Sequence, residues 1–482
     1  MTAIIRNNVG YYAKAIVCVF IMFGFGQLPP IEPITPLGMN VLGIFLGLLF
    51  GWSVIGLIWP SIMGTLALVL LCDMSLASVL AAGWGSVTLL LIFFMILVSG
   101  IVEQTGVSRF IAVYIITRTW VLKNPWIFVY AFFLAVFILS SITSTIAAII
   151  ICWSILYSVC QIVGYKPYEA FSSFMVVGVV FAATIGLAMF PFRTVGIMVF
   201  GILEKISGLT VNYMTYIMFT IPMSLLCILL FCLIGKFVFK VDVSLLKQLN
   251  KNSFANENLV PTRRQKAVLI FVAILVMLLL LPSILPKTFF LCIILNKIQA
   301  TGTAMLLIVV MCCLKIDGEP LMNIKTVCSK GMQWDVIFLT SVVMPLASAI
   351  TSEDAGITDL MLKVFTPIFE GRSAISFMAI AVLTAVILTN FANNQVVGAI
   401  LLPVFYPFAL LLGVSPMVIT VLLVFSCHFA LLTPAASPMA ALLHGNTDWC
   451  RSKEIYKYGF ISLFISIVAI IIIGIPYALV LF

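Results

Sequence analysis

Long apolar runs fill most of this sequence, and short polar clusters separate them. The cluster Thr389–Gln395 is rich in hydroxyl and amide side chains, and the apolar runs Ile375–Leu388 and Val396–Leu412 flank it. Neither run reaches the roughly 20 residues that a helix needs to cross a bilayer. Because an isolated amide or hydroxyl costs several kcal/mol in hydrocarbon, the pattern predicts a re-entrant hairpin whose polar tip lines a watery cavity. A polar loop outside the membrane is the alternative.

A similar pattern occurs earlier in the chain. The apolar runs Phe128–Leu139 and Ile146–Val163 flank the hydroxyl-rich tip Ser140–Thr145. A longer apolar segment then follows each predicted hairpin, Phe171–Gly201 after the first and Val418–Leu443 after the second. Gly186 and the Pro191-Phe192-Arg193 triplet interrupt the former, whereas Thr433-Pro434 and Ser437-Pro438 interrupt the latter. Paired interrupted segments of this kind mark a midplane binding site in secondary transporters.

The remaining apolar runs predict ordinary spans. They are Ala15–Leu28, Leu37–Gly51, Val54–Leu71, Val87–Val102, Tyr213–Ile234, Ala267–Leu281, Thr301–Leu314, Val336–Ile350 and Phe460–Phe482. With the interrupted segments included, the sequence predicts an all-α polytopic membrane protein with about 11 transmembrane helices plus two re-entrant hairpins.

The two halves of the chain repeat one another. Gly106 follows Trp84 at the spacing that separates Gly356 from Trp334, and both polar tips follow at nearly matched distances. Because the units enter the membrane from opposite sides, the sequence predicts two inverted-topology repeats. The expected divisions are N-terminal scaffold helices at 1–83, the first repeat at 84–235, a cytoplasmic linker at 236–266, further scaffold helices at 267–333, and the second repeat at 334–482.

Composition agrees with this class. Hydrophobic residues make up 63% of the chain and charged residues 9%, far from the balance of a soluble domain. The continuous apolar runs argue against a β-barrel. Most of the 12 Cys stand alone within apolar runs without the spacing of a metal site, so no transition-metal site is expected.

The net charge of +9 predicts an orientation in the membrane rather than a nucleic-acid partner. Cytoplasmic loops concentrate Lys and Arg, and most of the basic residues fall on one side when the N-terminus is cytoplasmic. This places the linker Lys236–Lys266 in the cytoplasm and the C-terminus outside it, in a protein of the cell (inner) membrane. The basic residues elsewhere are Lys205, Lys287, Lys297, Lys363 and Arg372 outside, and Arg193 within the membrane.

Three stretches carry a family resemblance: GMQWDVIFLTSVV (Gly331–Val343), LTNFANNQVVGAILLP (Leu388–Pro403) and LLTPAASPMAALLHGN (Leu431–Asn446). They resemble the divalent anion:sodium symporters, the di- and tricarboxylate transporters of the ion transporter superfamily. The resemblance implies 11 crossings with two re-entrant hairpins, a homodimer, and elevator-type alternating access. It also implies a small organic anion as substrate and Na+ as coupling ion, with no other cofactor.

The sequence departs from that family at the site. Ser141-Ile142-Thr143 stands at the first tip where the family has Ser-Asn-Thr, and Asn393-Asn394-Gln395 at the second keeps only the central Asn. Met439 stands where the family often has Asn. We therefore expect weaker sodium dependence than in the family, down to exchange of one carboxylate for another.

The candidate site residues follow from the tips and the interrupted segments. A charge inside the membrane is a functional candidate by default, which singles out Arg193, although snorkelling to the interface is the alternative. The candidates for substrate binding are Ser141, Thr143, Arg193, Asn393, Asn394, Ser437 and Pro438. The candidates for cation binding are Ser140, Ser141, Gly186, Asn390, Asn393 and Ala436.

Other classes of protein fit less well. The sequence has no HExxH, GxSxG or paired intramembrane carboxylates, so we expect no enzyme. A channel would line a pore with rings of like residues rather than with inverted repeats. A cation/proton antiporter or a sulfate-like inorganic anion permease of the same superfamily remains the alternative to carboxylate transport.

Overall fold

The computed structural model describes residues 2–254, 260–286, 288–360, 362–363 and 373–482, and helices dominate it. In chain order the α-helices are α1 (Thr2–Gly24), α2 (Pro36–Val54), α3 (Ile58–Leu71), α4 (Leu76–Gly83), α5 (Val87–Gln104), α6 (Val107–Ile116), α7 (Thr119–Leu122), α8 (Pro125–Ile142), α9 (Thr145–Val163), α10 (Ala170–Gly186), α11 (Thr194–Ser207), α12 (Tyr213–Phe237), α13 (Arg263–Ile284), α14 (Phe290–Cys313), α15 (Ile324–Gly331), α16 (Trp334–Ile350), α17 (Ala374–Thr389), α18 (Asn394–Leu411), α19 (Pro416–Cys427), α20 (Pro438–Gly445), α21 (Ser452–Ala469) and α22 (Ile475–Leu481).

Little other regular structure accompanies these helices. The strands β1 (Lys315–Ile316) and β2 (Glu319–Pro320) pair antiparallel between α14 and α15. A π-helical turn, Ile470–Gly474, joins α21 to α22. Within the described residues, ten helices are long and apolar enough to cross a membrane. Large apolar side chains such as Phe290 and Val480 face outward, as expected where hydrocarbon is the solvent.

The order of elements occurs twice. In the first repeat the span α5 precedes the hairpin α8–α9, the interrupted segment α10–α11 and the span α12. In the second repeat α16 precedes the hairpin α17–α18, the interrupted segment α19–α20 and the span that begins with α21. The predicted fold class, an all-α membrane protein with two hairpins in repeated halves, is confirmed.

The hairpin arms are longer than the sequence predicted. Helices α8, α9, α17 and α18 contain 18, 19, 16 and 18 residues, or about 24–29 Å at 1.5 Å per residue. Each arm stays below the roughly 20 residues of a full span, as predicted, and only α8 is much longer than its apolar run. Helix α8 continues past its apolar run because the hydroxyls of Ser140 and Ser141 bond to carbonyls of the preceding turn, which lets polar residues remain helical.

Several other boundaries differ from the expected ones. The short helices α4 and α15 lie in stretches where no helix was predicted, and α14 begins 11 residues before the expected start at Thr301. Its first part escaped detection because Lys297 and Gln299 dilute the apolar pattern, and the chain kinks at Gln299, whose φ is 59°. Part of the connector that precedes the second hairpin, residues 364–372, lies outside the described residues, as do Lys287 and Arg372.

Candidate functional site

The first hairpin tip is buried, and its hydroxyls bond to nearby backbone. Ser140 Oγ donates to Phe137 O at 3.1 Å, and Ser141 Oγ donates to Ile138 O at 2.7 Å. Thr143 Oγ1 donates to Ser144 O. These hydroxyls therefore use their protons locally, while their oxygens keep lone pairs for an incoming donor or cation.

Helix α9 begins directly after this tip. Its N-cap residue, Ser144, makes no side-chain cap, so the first N–H groups of α9 are left without that partner. The N-terminus of a helix carries roughly half a positive charge, which attracts anions.

Arg193 lies in the non-helical stretch between α10 and α11, at the N-cap position of α11. Its Nη1 donates to Ser99 Oγ at 2.9 Å, and its Nη2 donates to Ser140 O at 3.1 Å and Thr143 O at 2.7 Å. The guanidinium group thus lies at the C-terminal end of α8, where the helix dipole favours positive charge. Among the described residues, the buried Nε has no hydrogen-bond partner.

Gly186 places the end of α10 directly against this tip. A Cβ at Gly186 would overlap the Ser140 hydroxyl and lie 2.5 Å from Phe137 O. Only a residue without a side chain permits this approach, which holds α10 close to the last turn of α8. Gly186, Ser140 and Ser141, three of the predicted cation-binding residues, are therefore neighbours.

The second tip is held by the side chain of Asn390. Its Nδ2 donates to Val386 O and to Phe429 O, each at 2.8 Å. Its Oδ1 accepts from the backbone N–H groups of Leu431 at 3.1 Å and Leu432 at 2.9 Å. Both donors and both acceptor sites of the amide are therefore used, and they join the hairpin to the stretch between α19 and α20.

The neighbouring polar residues cap helices. The Asn393 side chain accepts from Gln395 N at 2.9 Å at the start of α18. Ser437 Oγ accepts from Ala440 N at 3.1 Å and donates to Ala430 O at 2.8 Å, with Pro438 at the first position of α20. The Asn394 N–H donates to Ala436 O at 3.3 Å. Whether these residues also bind substrate or cation stays a prediction.

Helix α18 of the second hairpin packs against α11 of the first interrupted segment, and α11 also contacts α19 of the second. A Cβ at Gly398, in the second turn of α18, would lie 2.9 Å from the Val199 side chain and 3.4 Å from that of Val195 on α11. His428 lies directly after α19, at its C-cap position. Its Nδ1 bonds to Val424 O at 2.6 Å, while its buried Nε2 has no partner among the described residues. The structure thus packs the second hairpin and the second interrupted segment against α11 of the first repeat.

Sequence reasoning missed three residues of this region. Ser99 binds the Arg193 guanidinium, Thr389 Oγ1 donates to Cys427 O at 2.8 Å, and Thr433 Oγ1 donates to Asn390 O at 2.5 Å. The signal for Ser99 was weak, a single hydroxyl in the apolar helix α5. Thr389 and Thr433 were visible in polar or Pro-broken stretches, but nothing local shows which carbonyl each would reach.

Comparisons with known proteins agree with this architecture. A family model described as the sodium:sulfate symporter transmembrane region matches residues 10–482. The crystal structure of the Alcanivorax borkumensis YdaH transporter, reported to reveal an unusual topology, matches with a TM-score of 0.57. The two chains are 16% identical, and the match covers 84% of this chain and 86% of that one. A search of curated proteins by sequence found no match.

The family match confirms the resemblance to the divalent anion:sodium symporters, and the structural match supports the fold alone. With its many apolar helices, the chain is a multi-pass membrane protein. It belongs to the sodium:sulfate symporter family, whose members are membrane transporters of anions.

Proposed function

We propose that this protein is a secondary active transporter of small organic anions, specifically di- or tricarboxylates. The observation that carries the proposal is the Arg193 guanidinium, whose buried Nε is an unused donor beside two helix N-termini without side-chain caps, those of α9 and α11. A carboxylate bound there meets a fixed positive charge and free N–H groups in a low-dielectric site.

The region offers two anion-attracting ends rather than one. Two helices of the first repeat, α9 and α11, begin beside Arg193 without side-chain caps. A dicarboxylate carries separated charges that engage both of these N-termini, whereas sulfate is compact and needs only one. This arrangement favours carboxylates over a sulfate-like inorganic anion. The lack of Asp or Glu in the apolar segments Phe171–Gly201 and Val418–Leu443 argues against a cation/proton antiporter.

We also infer elevator-type movement within a homodimer. Hairpins and interrupted segments from both repeats pack against one another, and we expect bound substrate to travel with them. The expected moving parts are the repeats at 84–235 and 334–482, with 1–83 and 267–333 as scaffold helices and 236–266 as the cytoplasmic linker. An inside-negative potential of 100 mV opposes the inward movement of a dianion by about 4.6 kcal/mol. We therefore expect sodium coupling, or exchange for another carboxylate, to drive uptake.

Uptake into proteoliposomes tests the substrate. Labelled C4, C5 and C6 carboxylates and labelled sulfate are offered to the full chain with sodium, with choline, or with internal carboxylate. We expect saturable carboxylate uptake that excess sulfate inhibits poorly. Sulfate uptake that no carboxylate inhibits would replace this assignment with the inorganic anion permease, and dissipation of a pH gradient by Na+ or K+ alone would indicate an antiporter.

A further inference from the structure

The first hairpin tip presents backbone carbonyls of the kind that bind small cations. Helix α8 ends at Ile142, so the carbonyls of its last turn lack helical N–H partners and carry the negative end of the helix dipole. Carbonyls exposed in this way within a membrane protein are satisfied either by a protein donor or by a bound cation such as Na+. Here Ser140 O and Thr143 O both accept from a single nitrogen, Nη2 of Arg193.

The second repeat fills the matching position with a neutral donor. Asn390 follows Trp334 at the spacing that separates Ser140 from Trp84. Its Nδ2 lies between Val386 O and Phe429 O, one carbonyl from the hairpin and one from the interrupted segment. Side-chain N–H groups of the protein thus lie at both tips, where the sequence predicted bound cations. The donor is the charged guanidinium of Arg193 at the first tip and the neutral amide of Asn390 at the second.

We propose that Arg193 is a tethered cation that takes the place of a bound sodium ion at the first tip, so that anion binding requires no sodium there. This inference rests on the proposed function for the identity of the anion and deepens it with respect to coupling. The guanidinium group satisfies the tip carbonyls permanently, and its unused Nε leaves one charged donor for the anion. Because this charge is never released, the sodium gradient contributes nothing through this tip, and exchange of one anion for another follows.

Replacement of the tethered charge by a free ion provides the test. Thermal melting of the purified full chain, without substrate, is compared in NaCl, KCl and choline chloride at equal ionic strength. We expect the wild-type Tm to be the same in all three salts. Arg193→Ser removes the donor from Ser140 O and Thr143 O and adds a hydroxyl oxygen beside them. We expect this variant to have a lower Tm than the wild type, and its Tm should be roughly 2–4 °C higher in saturating NaCl than in choline chloride. Arg193→Lys keeps a cation and should not respond to sodium.

Lys205→Ser is the matched control, because the Lys205 ammonium also donates to a carbonyl, Met344 O at 3.0 Å, away from the hairpin tips. Sodium should not change its Tm. An Arg193→Ser variant that folds without any sodium response would overturn the proposal. If that variant does not fold, the wild-type protein provides the test. A lower wild-type Tm, or loss of anion binding, in choline chloride relative to NaCl would also overturn the proposal. If the Tm of Arg193→Ser responds to sodium but the wild-type protein transports no carboxylate, the tethered-cation proposal stands and the proposed substrate is rejected.

Discussion

At the residue scale, side chains that bond to backbone carbonyls across helices organise the candidate site. Arg193 joins the first tip to α5, and Asn390 joins the second tip to the stretch after α19. Neither contact is local in sequence. Each satisfies carbonyls that water cannot reach, and an unsatisfied buried group costs about 1–3 kcal/mol.

The Asn390 amide should therefore dominate the stability of the second tip. Asn390→Ala removes partners from two carbonyls and two N–H groups at once, and we expect a loss of about 3 kcal/mol or more. Thermal or denaturant unfolding in detergent measures it. Asn250→Ala is the control, since that exposed side chain bonds to Ser253, a near neighbour in the chain. Equal stability of the two variants would contradict the role assigned to Asn390.

At the element scale, the repeats differ in how their central helices begin. Helices α18 and α20 of the second repeat have side-chain caps from Asn393 and Ser437, whereas α9 and α11 of the first have none. The two uncapped helices are the ones nearest Arg193. The first repeat therefore keeps N–H groups free for an anion, while the second uses its own polar residues to complete its helices.

The caps can be ranked by burial. Ser437→Ala should destabilise the protein by about 1–2 kcal/mol, because it removes the cap of α20 and also leaves Ala430 O without its donor. Ser75→Ala removes an exposed cap from α4 and should cost less. Melting temperatures of the two variants, measured together, give the comparison. The reverse order would show that the buried bond to Ala430 contributes little.

At the scale of the whole molecule, the inverted repeats require a defined orientation. The charge bias predicts a cytoplasmic N-terminus and linker, with the C-terminus on the other side. In the structure the linker packs against the base of the first hairpin, where Tyr165 Oη donates to Asp242 O at 2.9 Å. The linker and that base therefore share one side of the membrane.

Thiol labelling in intact cells tests this orientation. Lys247→Cys places a reporter at an exposed linker position, in a background where the exposed Cys313 is Ser. We expect protection from an impermeant reagent until the cells are permeabilised. Asp359→Cys, in the connector predicted to lie outside, is the positive control and should react at once. Immediate labelling at position 247 would reverse the assigned orientation.

The sequence by itself determined the membrane-spanning class, the two hairpins, the interrupted segments and the family. These depend on local patterns, apolar runs broken by polar tips, Gly and Pro, and the bilayer gives such patterns a direct physical meaning. Arg193 was recognisable as a candidate because a charge is costly in hydrocarbon.

Only the tertiary structure decided what each polar side chain contacts. Arg193 was predicted as a substrate-binding residue, and only the structure shows that its Nη groups reach Ser99 and the carbonyls of the first tip. Asn390 was expected to coordinate a cation, and its amide links backbone groups 39–42 residues away in the chain. The partner of a polar side chain depends on which carbonyls and N–H groups the packed helices leave unsatisfied beside it. The periodicity of a single helix does not identify those groups, because they belong to other helices.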